Sequence, residues 1–324
     1  MRRLLVVFLG LAILGLPPSA GAQRSGPAAR LGVLLFGTPD RDPNLASFRE
    51  GLRELGYVEG QNIVLEYRFA EGRSERLADL ARELVGIKPN VIFALGGDVA
   101  PFAKSATATI PVVFAASLDP VQSGLVGAFG RPGGNLTGVT FASSELAAKR
   151  LQFLKEVAPE VSRVGVLWSP AHPDFEYKET LVAAHRLGVQ VLSLEVASAN
   201  DFGPAFRAAA AARSDAVIVA SSRLMTLNRQ RIVELAAGHR IILVSGWGPW
   251  AQDGALLSYG PDLDAICRRA ATHVDKILRG AKPGDLPIER PTKFEMIINL
   301  KTARAYGLTI PSSLAARADR VIDP

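Results

Sequence analysis

The stretch that decides the fold is Ile110–Phe141, IPVVFAASLDPVQSGLVGAFGRPGGNLTGVTF. Its opening run, Ile110 to Ala115, is apolar and β-branched, as a strand buried on both faces must be. Small and polar residues come next, Ala116-Ser117-Leu118-Asp119-Pro120, where a parallel strand delivers backbone and hydroxyl groups to a cleft. The Gly/Pro punctuation Gly130-Arg-Pro-Gly-Gly-Asn135 reads as a surface turn. No Lys-Ser/Thr comes after it, as a phosphate cradle would need. A second apolar run, Leu136 to Phe141, completes a ligand loop followed by a crossing between two halves of the molecule.

Outward from this stretch the chain alternates strand and helix. Leu31 to Phe36 reads as a buried strand, and Asn44 to Leu55 has helical spacing that stops at Gly56. Ile63 to Phe69 is a strand succeeded by a helix starting at Ser74, and Val91 to Leu95 is a strand succeeded by a helix starting at Val99. Such an order implies right-handed βαβ units and a parallel sheet covered on both faces. After a helix from Ser144 to Val157 the series repeats. Leu31-Gly-Val-Leu-Leu-Phe-Gly-Thr-Pro-Asp40 is echoed by Val164-Gly-Val-Leu-Trp-Ser-Pro-Ala-His-Pro-Asp174. Leu55-Gly56 is echoed by Leu187-Gly188, and Asn90 to Gly97 by Asp215 to Ser222. Echoes in register predict two similar Rossmann-like lobes with parallel sheets. Further strands are expected at Ile241 to Ser245, Ala255 to Tyr259 and Phe294 to Leu300, with a Gly/Trp loop at 246–250 and a long helix from Asp262 to Leu278. The expected division is 30–139 plus about 261–285 for one lobe, and 140–260 plus about 286–324 for the other. A multi-crossover hinge joins them, and the ligand cleft lies between.

With 324 residues, 48% hydrophobic and 21% charged, the chain is of ordinary globular composition and can bury two cores. Its formal charge of +6 is scattered, with no basic stripe, so nucleic acid is not an expected partner. The first 22 residues set the compartment. Arg2-Arg3 precede the apolar run Leu4 to Leu16, then come Pro17-Pro18 and the small-x-small site Ala20-Gly21-Ala22. The run is shorter than the roughly 20 residues that span a bilayer. A cleaved signal peptide, 1–22, and a soluble exported monomer are expected. No cysteine stands at the end of the run to accept a lipid. The single cysteine, Cys267, excludes an internal disulfide and cysteine-cluster metal sites.

Catalytic signatures are missing: no G-x-S-x-G, no Walker A, no H-E-x-x-H, no strand-associated G-x-G-x-x-G. His172 reads as a solvated loop residue, and no two histidines have metal-ligand spacing. No metal and no cofactor are expected. The strand ends, by contrast, repeat small hydroxyls, glycines and aromatics: Thr38, Gly97, Asp98, Ser117 and Asp119 in the first series, with Thr140 at the hinge. The second series supplies Trp168, Ser169, Ser221, Ser222, Trp247 and Tyr259. Hydroxyls and helix-start N–H groups suit a carboxylate, Asp98 or Asp119 suits an ammonium, and the aromatics suit an apolar wall. Helix capping by Ser221, Ser222 or Asp98, and a turn role for Asp119, are the structural alternatives.

The chain also resembles the substrate-binding proteins of ABC transporters, within them the broad family that includes tryptophan/phenylalanine-binding members. The residues that carry this are Arg49-Glu-Gly-Leu-Arg-Glu-Leu-Gly-Tyr57 with Gly60-Gln-Asn62, Glu66-Tyr-Arg68, and Asp119-Pro-Val121 with Gly124-Leu-Val126. Arg131-Pro-Gly-Gly-Asn135 with Thr137-Gly-Val-Thr140, Ser258-Tyr-Gly-Pro261, Pro291-Thr-Lys-Phe294, Asn299-Leu-Lys301 and Gly307 to Leu314 extend it over nearly the whole chain. The resemblance implies a type I periplasmic-binding fold, closure on a small solute such as an amino acid, a periplasmic location and delivery to a membrane permease. Where relatives often carry Gly-Gly-Thr-Pro after the third strand, this chain has Gly96-Gly97-Asp98-Val99. Two other readings remain open: an exported α/β enzyme such as a hydrolase, and a sugar-responsive regulator. The second lacks the N-terminal helix-turn-helix it would need.

Overall fold

A computed structural model describes residues 28–40 and 42–323; the leader expected at 1–22 lies outside the described residues. The strands are β1 (Ala29–Leu35), β2 (Ile63–Phe69), β3 (Val91–Leu95), β4 (Val112–Ala116), β5 (Leu136–Thr140), β6 (Arg163–Trp168), β7 (Gln190–Glu195), β8 (Ala216–Val219), β9 (Ile242–Ser245), β10 (Leu257–Gly260), β11 (Glu295–Asn299) and β12 (Arg320–Ile322). They form two sheets, ordered β2-β1-β3-β4-β5 and β12-β11-β10-β9-β8-β6-β7. Five adjacent strands at one end of the second sheet run β7-β6-β8-β9-β10, which repeats the order of the first. The sequence echo is therefore a repeat of topology, and the fold is α/β with two Rossmann-like lobes of the type I periplasmic-binding kind.

Around the first sheet lie α1 (Pro43–Glu54), α2 (Leu77–Gly86) and α3 (Ala100–Ala106); around the second lie α4 (Ser143–Val157), α5 (Phe175–Leu187), α6 (Phe202–Ala211), α7 (Arg223–Leu227), α8 (Arg229–Gly238) and α9 (Gly248–Asp253). The chain ends through α10 (Leu263–Leu278), α11 (Leu300–Ala305) and α12 (Ser312–Ala315). Three features depart from the sequence reading. The run 136–140 is an edge strand of the first sheet, paired parallel with β4, and the crossing begins only at Phe141. The Gly/Trp segment contains a helix, α9, because Pro249 sits in the first turn, where a missing N–H costs nothing. And β11 pairs antiparallel with β10, so the second sheet is mixed at that edge.

The chain passes between lobes at three places. After β5, Ala142 takes φ 53°, a left-handed conformation that a non-glycine residue adopts at a cost, and its N–H donates to the Thr140 hydroxyl at 3.2 Å. After β10 the chain returns through Asp262, whose carboxylate caps α10. That helix packs on α1, β4 and β5, so it belongs to the first lobe although it comes after the second in sequence. The third passage runs beside β5, where Thr140 N–H donates to the Glu289 carbonyl at 2.9 Å. The Gly-rich turn before β5 is held against this return segment: Gly133 N–H donates to Gly284 O, and the Asn135 side chain to Thr107 O and Ile110 O. Its role is structural, as the sequence suggested.

One apolar cluster runs from the first lobe across the interface to Leu224, Met225 and Trp247 of the second; another, around Leu151, Val164 and Ile298, fills the far face of the second sheet. Continuity of apolar packing across the lobes means that they are closed on each other.

Candidate functional site

The carboxyl ends of the two sheets meet in a polar layer between the lobes, where a doubly wound sheet presents its loops. Glycines on the first lobe admit side chains from the second. A Cβ on Gly37 would lie 2.4 Å from Leu227 Cδ1, one on Gly97 would lie 2.4 Å from His172 Nε2, and one on Gly96 would lie 2.6 Å from Arg223 Cγ. Only glycine permits such approach.

His172 is 7% exposed, not solvated as the sequence reading held. Its Nε2 lies 2.7 Å from Ser117 Oγ, across the cleft, and its Nδ1 lies 3.0 Å from Pro173 O. A carbonyl can only accept, so Nδ1 carries a proton; in the neutral ring Nε2 then accepts from the Ser117 hydroxyl. Arg223, at the start of α7, makes the other bridge. Its guanidinium donates to Asn44 Oδ1 at 2.9 Å and to Asp42 Oδ2, and its backbone N–H donates to Asp98 Oδ2 at 3.1 Å. Asp42 holds this cation with one oxygen while the other caps α1 through Asn44 and Leu45 N–H. Burial pushes the Asp98 carboxyl above its usual range, against the opposing pull of His172 and Arg223.

Behind this layer the second lobe carries a buried ion pair. Arg150 Nη1 donates to Glu176 Oε2 at 2.6 Å, Arg150 Nε to Tyr259 O at 3.0 Å, and Ser221 N–H to Glu176 Oε1 at 2.9 Å. Several buried polar atoms here have no hydrogen-bond partner. Thr38 Oγ1 and Asp98 Oδ1 belong to the first lobe, and Arg150 Nη2, Arg223 Nε and Trp247 Nε1 to the second. Such atoms carry the full desolvation cost until something binds them. Beside the Arg223 bridge the lobes leave a groove of about 400 Å³, with Asn44, Asp264, Thr226, Trp247 and Pro249 in its walls.

The structure thus gathers Gly97, Asp98 and Ser117 around His172 and Arg223, with Thr38 beside the Gly37–Leu227 contact. Trp168, Ser169 and Ser221 line one small void, with His172 and Glu176, of about 10 Å³, room for roughly one water. Five of the sequence-predicted side chains are engaged otherwise. Asp119 Oδ1 accepts from Val121 and Gln122 N–H and shapes a turn. Ser222 caps α7 through Met225 N–H. The Thr140 hydroxyl is tied to Leu118 O and Ala142 N. Tyr259 is no wall of the cleft: its ring packs edge-on against Phe153 and near Phe294, within the second lobe. Trp168 stacks on Tyr177 and donates to Ser193. The sequence reading missed Asp42, Asn44, Arg150, Glu176 and Arg223. Arg223 comes directly after the Ser221-Ser222 pair already singled out, and Asp42-Pro43-Asn44 is a legible helix start. Among the described residues no group of three His, Cys, Asp or Glu is placed to hold a metal ion, and no helix is long and apolar enough to cross a membrane.

Comparison with known proteins places this geometry. A tyrosine-binding protein of Clostridioides difficile is 24% identical over 272 residues, 83% of this chain and 78% of that protein. A domain from Streptococcus pneumonia solved in complex with L-Trp is 26% identical, with a TM-score of 0.83 over 91% of this chain and 100% of its own. A conserved domain protein from Vibrio cholerae is 27% identical, with a TM-score of 0.84 over the same shares. Of these, the first is a tyrosine-binding protein and the second was solved with L-Trp bound, so they are solute-binding proteins and not enzymes. Residues 33–322 match the family model of ABC transporter substrate binding proteins, and the chain belongs to that family.

Proposed function

We propose that the chain is an exported receptor that closes on a small solute, an amino acid or a related small carboxylate or aromatic compound, and delivers it to an ABC transporter permease. The first lobe comprises 30–139 with about 261–285, and the second 140–260 with about 286–324. The leader Met1–Ala22 directs export, cleavage leaves a monomer in the periplasm, and the solute is held among the cleft residues of both lobes. The observation that carries this reading is how the unpartnered buried atoms of the cleft are sorted once the hydroxyls, which both donate and accept, are set aside. The acceptor Asp98 Oδ1 stands on the first lobe, and the donors Arg150 Nη2, Arg223 Nε and Trp247 Nε1 stand on the second. An α-amino acid offers an ammonium to the one set and a carboxylate to the other, so it favours the closed state by bonding both lobes. The tyrosine-binding relative and the L-Trp complex support the same class of solute, and Trp247 beside the groove would take an apolar side chain.

Native mass spectrometry of the protein purified from its own periplasm, followed by calorimetric titration with L-tyrosine, L-tryptophan and the other common amino acids, tests the proposal. A co-purified amino acid, or saturable binding of one of the panel, is the expected result. No binding across the panel would overturn the solute class. An intact Met1 on a membrane-embedded product would overturn export by a cleaved leader.

A further inference from the structure

We infer that Arg223 has a role in solute capture apart from any bond of its Nε to the solute: through Nη1 and Nη2 it clasps the lobes together on Asn44 and Asp42, so that the closed form is populated before any solute arrives. The guanidinium crosses from the start of α7 to the N-terminus of α1, 181 residues away in sequence. The Arg223 side chain is 4% exposed and that of Asp42 is 1% exposed. Neither group reaches this state except by closure, because the partners sit on different lobes. The seat is shaped for it. Asp42 is fixed by capping α1, Asn44 turns its carbonyl oxygen to Nη1, and Gly96 leaves room for the Arg223 stem. Asp98 holds the Arg223 backbone in register. The neighbouring contacts are complementary too: Leu227 rests on Gly37 and His172 on Gly97 with no Cβ between.

A buried pair repays its desolvation only where further hydrogen bonds satisfy its remaining groups, as the Asn44 oxygen and the N–H groups of α1 do here, and removing one partner strands the other without water or counter-charge. In an Arg223→Ala protein the closed form contains an unpaired Asp42, whereas the open form hydrates it at no cost. The balance moves to the open form, and the apparent affinity for any solute that needs closure falls with the closed fraction.

The experiment needs no solute. Spin labels are placed on Ala78→Cys in α2 and Ala208→Cys in α6, both exposed, with the fully buried Cys267 left in place. The protein is unfolded and refolded to strip bound molecules, and native mass spectrometry verifies that it is empty. Inter-label distances are then measured by pulsed electron spin resonance. The wild type should show a closed-distance population. Arg223→Ala and Asp42→Asn should each lose it by at least tenfold, with thermal melts reporting folded protein, and Arg223→Lys should recover part of it. A wild type that is wholly open when empty overturns the inference. So does a folded Arg223→Ala or Asp42→Asn protein that keeps the closed population. Neither outcome bears on which solute binds, so the clasp and the amino-acid reading fail separately.

Discussion

The Nε2 atom of His172 lies 2.7 Å from the hydroxyl oxygen of Ser117, so an imidazole of the second lobe rests against a strand end of the first. The ring is held at both nitrogens and abuts Gly97. Ser117→Ala should weaken solute binding by about 0.5–1.5 kcal/mol, the worth of one neutral hydrogen bond. Gly97→Ala should weaken it more, because its Cβ would meet the fixed ring and hold the lobes apart. Calorimetric titration of both variants with the co-purified solute gives the order, and Gly97→Ala binding as tightly as wild type would contradict it.

The Arg150–Glu176 pair makes a sharper stability prediction. Arg150 is 0% and Glu176 8% exposed at the side chain. Glu176→Ala leaves the buried Arg150 guanidinium without a counter-charge and the Ser221 N–H without an acceptor, and should cost about 3–5 kcal/mol. Arg150→Met combined with Glu176→Leu should cost less, since no charge is then left buried alone. Urea denaturation of the three proteins measures the difference, which should shift the midpoint without changing the slope.

Asp98 gives a pH dependence of defined sign. Its folded-state affinity for a proton is raised by burial, so between its ordinary range and the raised value the native state binds more protons than the unfolded chain. Stability then falls as pH rises through that window, beginning near pH 4 and ending above the raised value. Asp98→Asn keeps an oxygen for the Arg223 N–H and carries no charge. Its melting temperature should therefore rise relative to wild type from pH 4 toward neutrality. Parallel melting curves at every pH would refute the account.

Gly51 pits two effects against each other. Alanine in a helix interior is favoured by about 1 kcal/mol over glycine. Yet a Cβ there would sit 2.4 Å from the Arg268 carbonyl oxygen on α10, a backbone atom that cannot swing away. Overpacking of this kind costs about 1–3 kcal/mol, so Gly51→Ala should lower the melting temperature of the protein despite its better helix propensity. A raised melting temperature would mean that the two helices separate more easily than their close packing implies.

The architecture was legible because parallel strands covered on both faces write continuous apolar runs, and the run at Val112–Ala116 is one of them. The echo of Leu31–Asp40 in Val164–Asp174 announced a repeated strand order. The direction of β11 was not legible, since an apolar run reads the same whichever way its neighbour points. The side of the strand on which the Tyr259 ring falls was likewise hidden, as both sides of that strand are covered. Gly97, Asp98 and Ser117 could be read from their places after strands. Their counterparts His172 and Arg223 could not, because what identifies them is a contact across the closed interface: 55 residues away for His172 and 181 for Arg223. No local pattern encodes such distances.

The placement of α10 has a consequence for how the protein is made. Tyr57, just after α1, bonds Asp275 on α10, and the two lie 218 residues apart. At synthesis rates of 5–20 residues per second, the Ser47–Gly51 side of α1 waits roughly 10–40 seconds for α10, while the intervening strands of the other lobe are still emerging. The first half of the chain is thus born unfinished. A holding chaperone that keeps it from pairing with a neighbour would find its grip on the apolar strands β4 and β5, which α10 also covers.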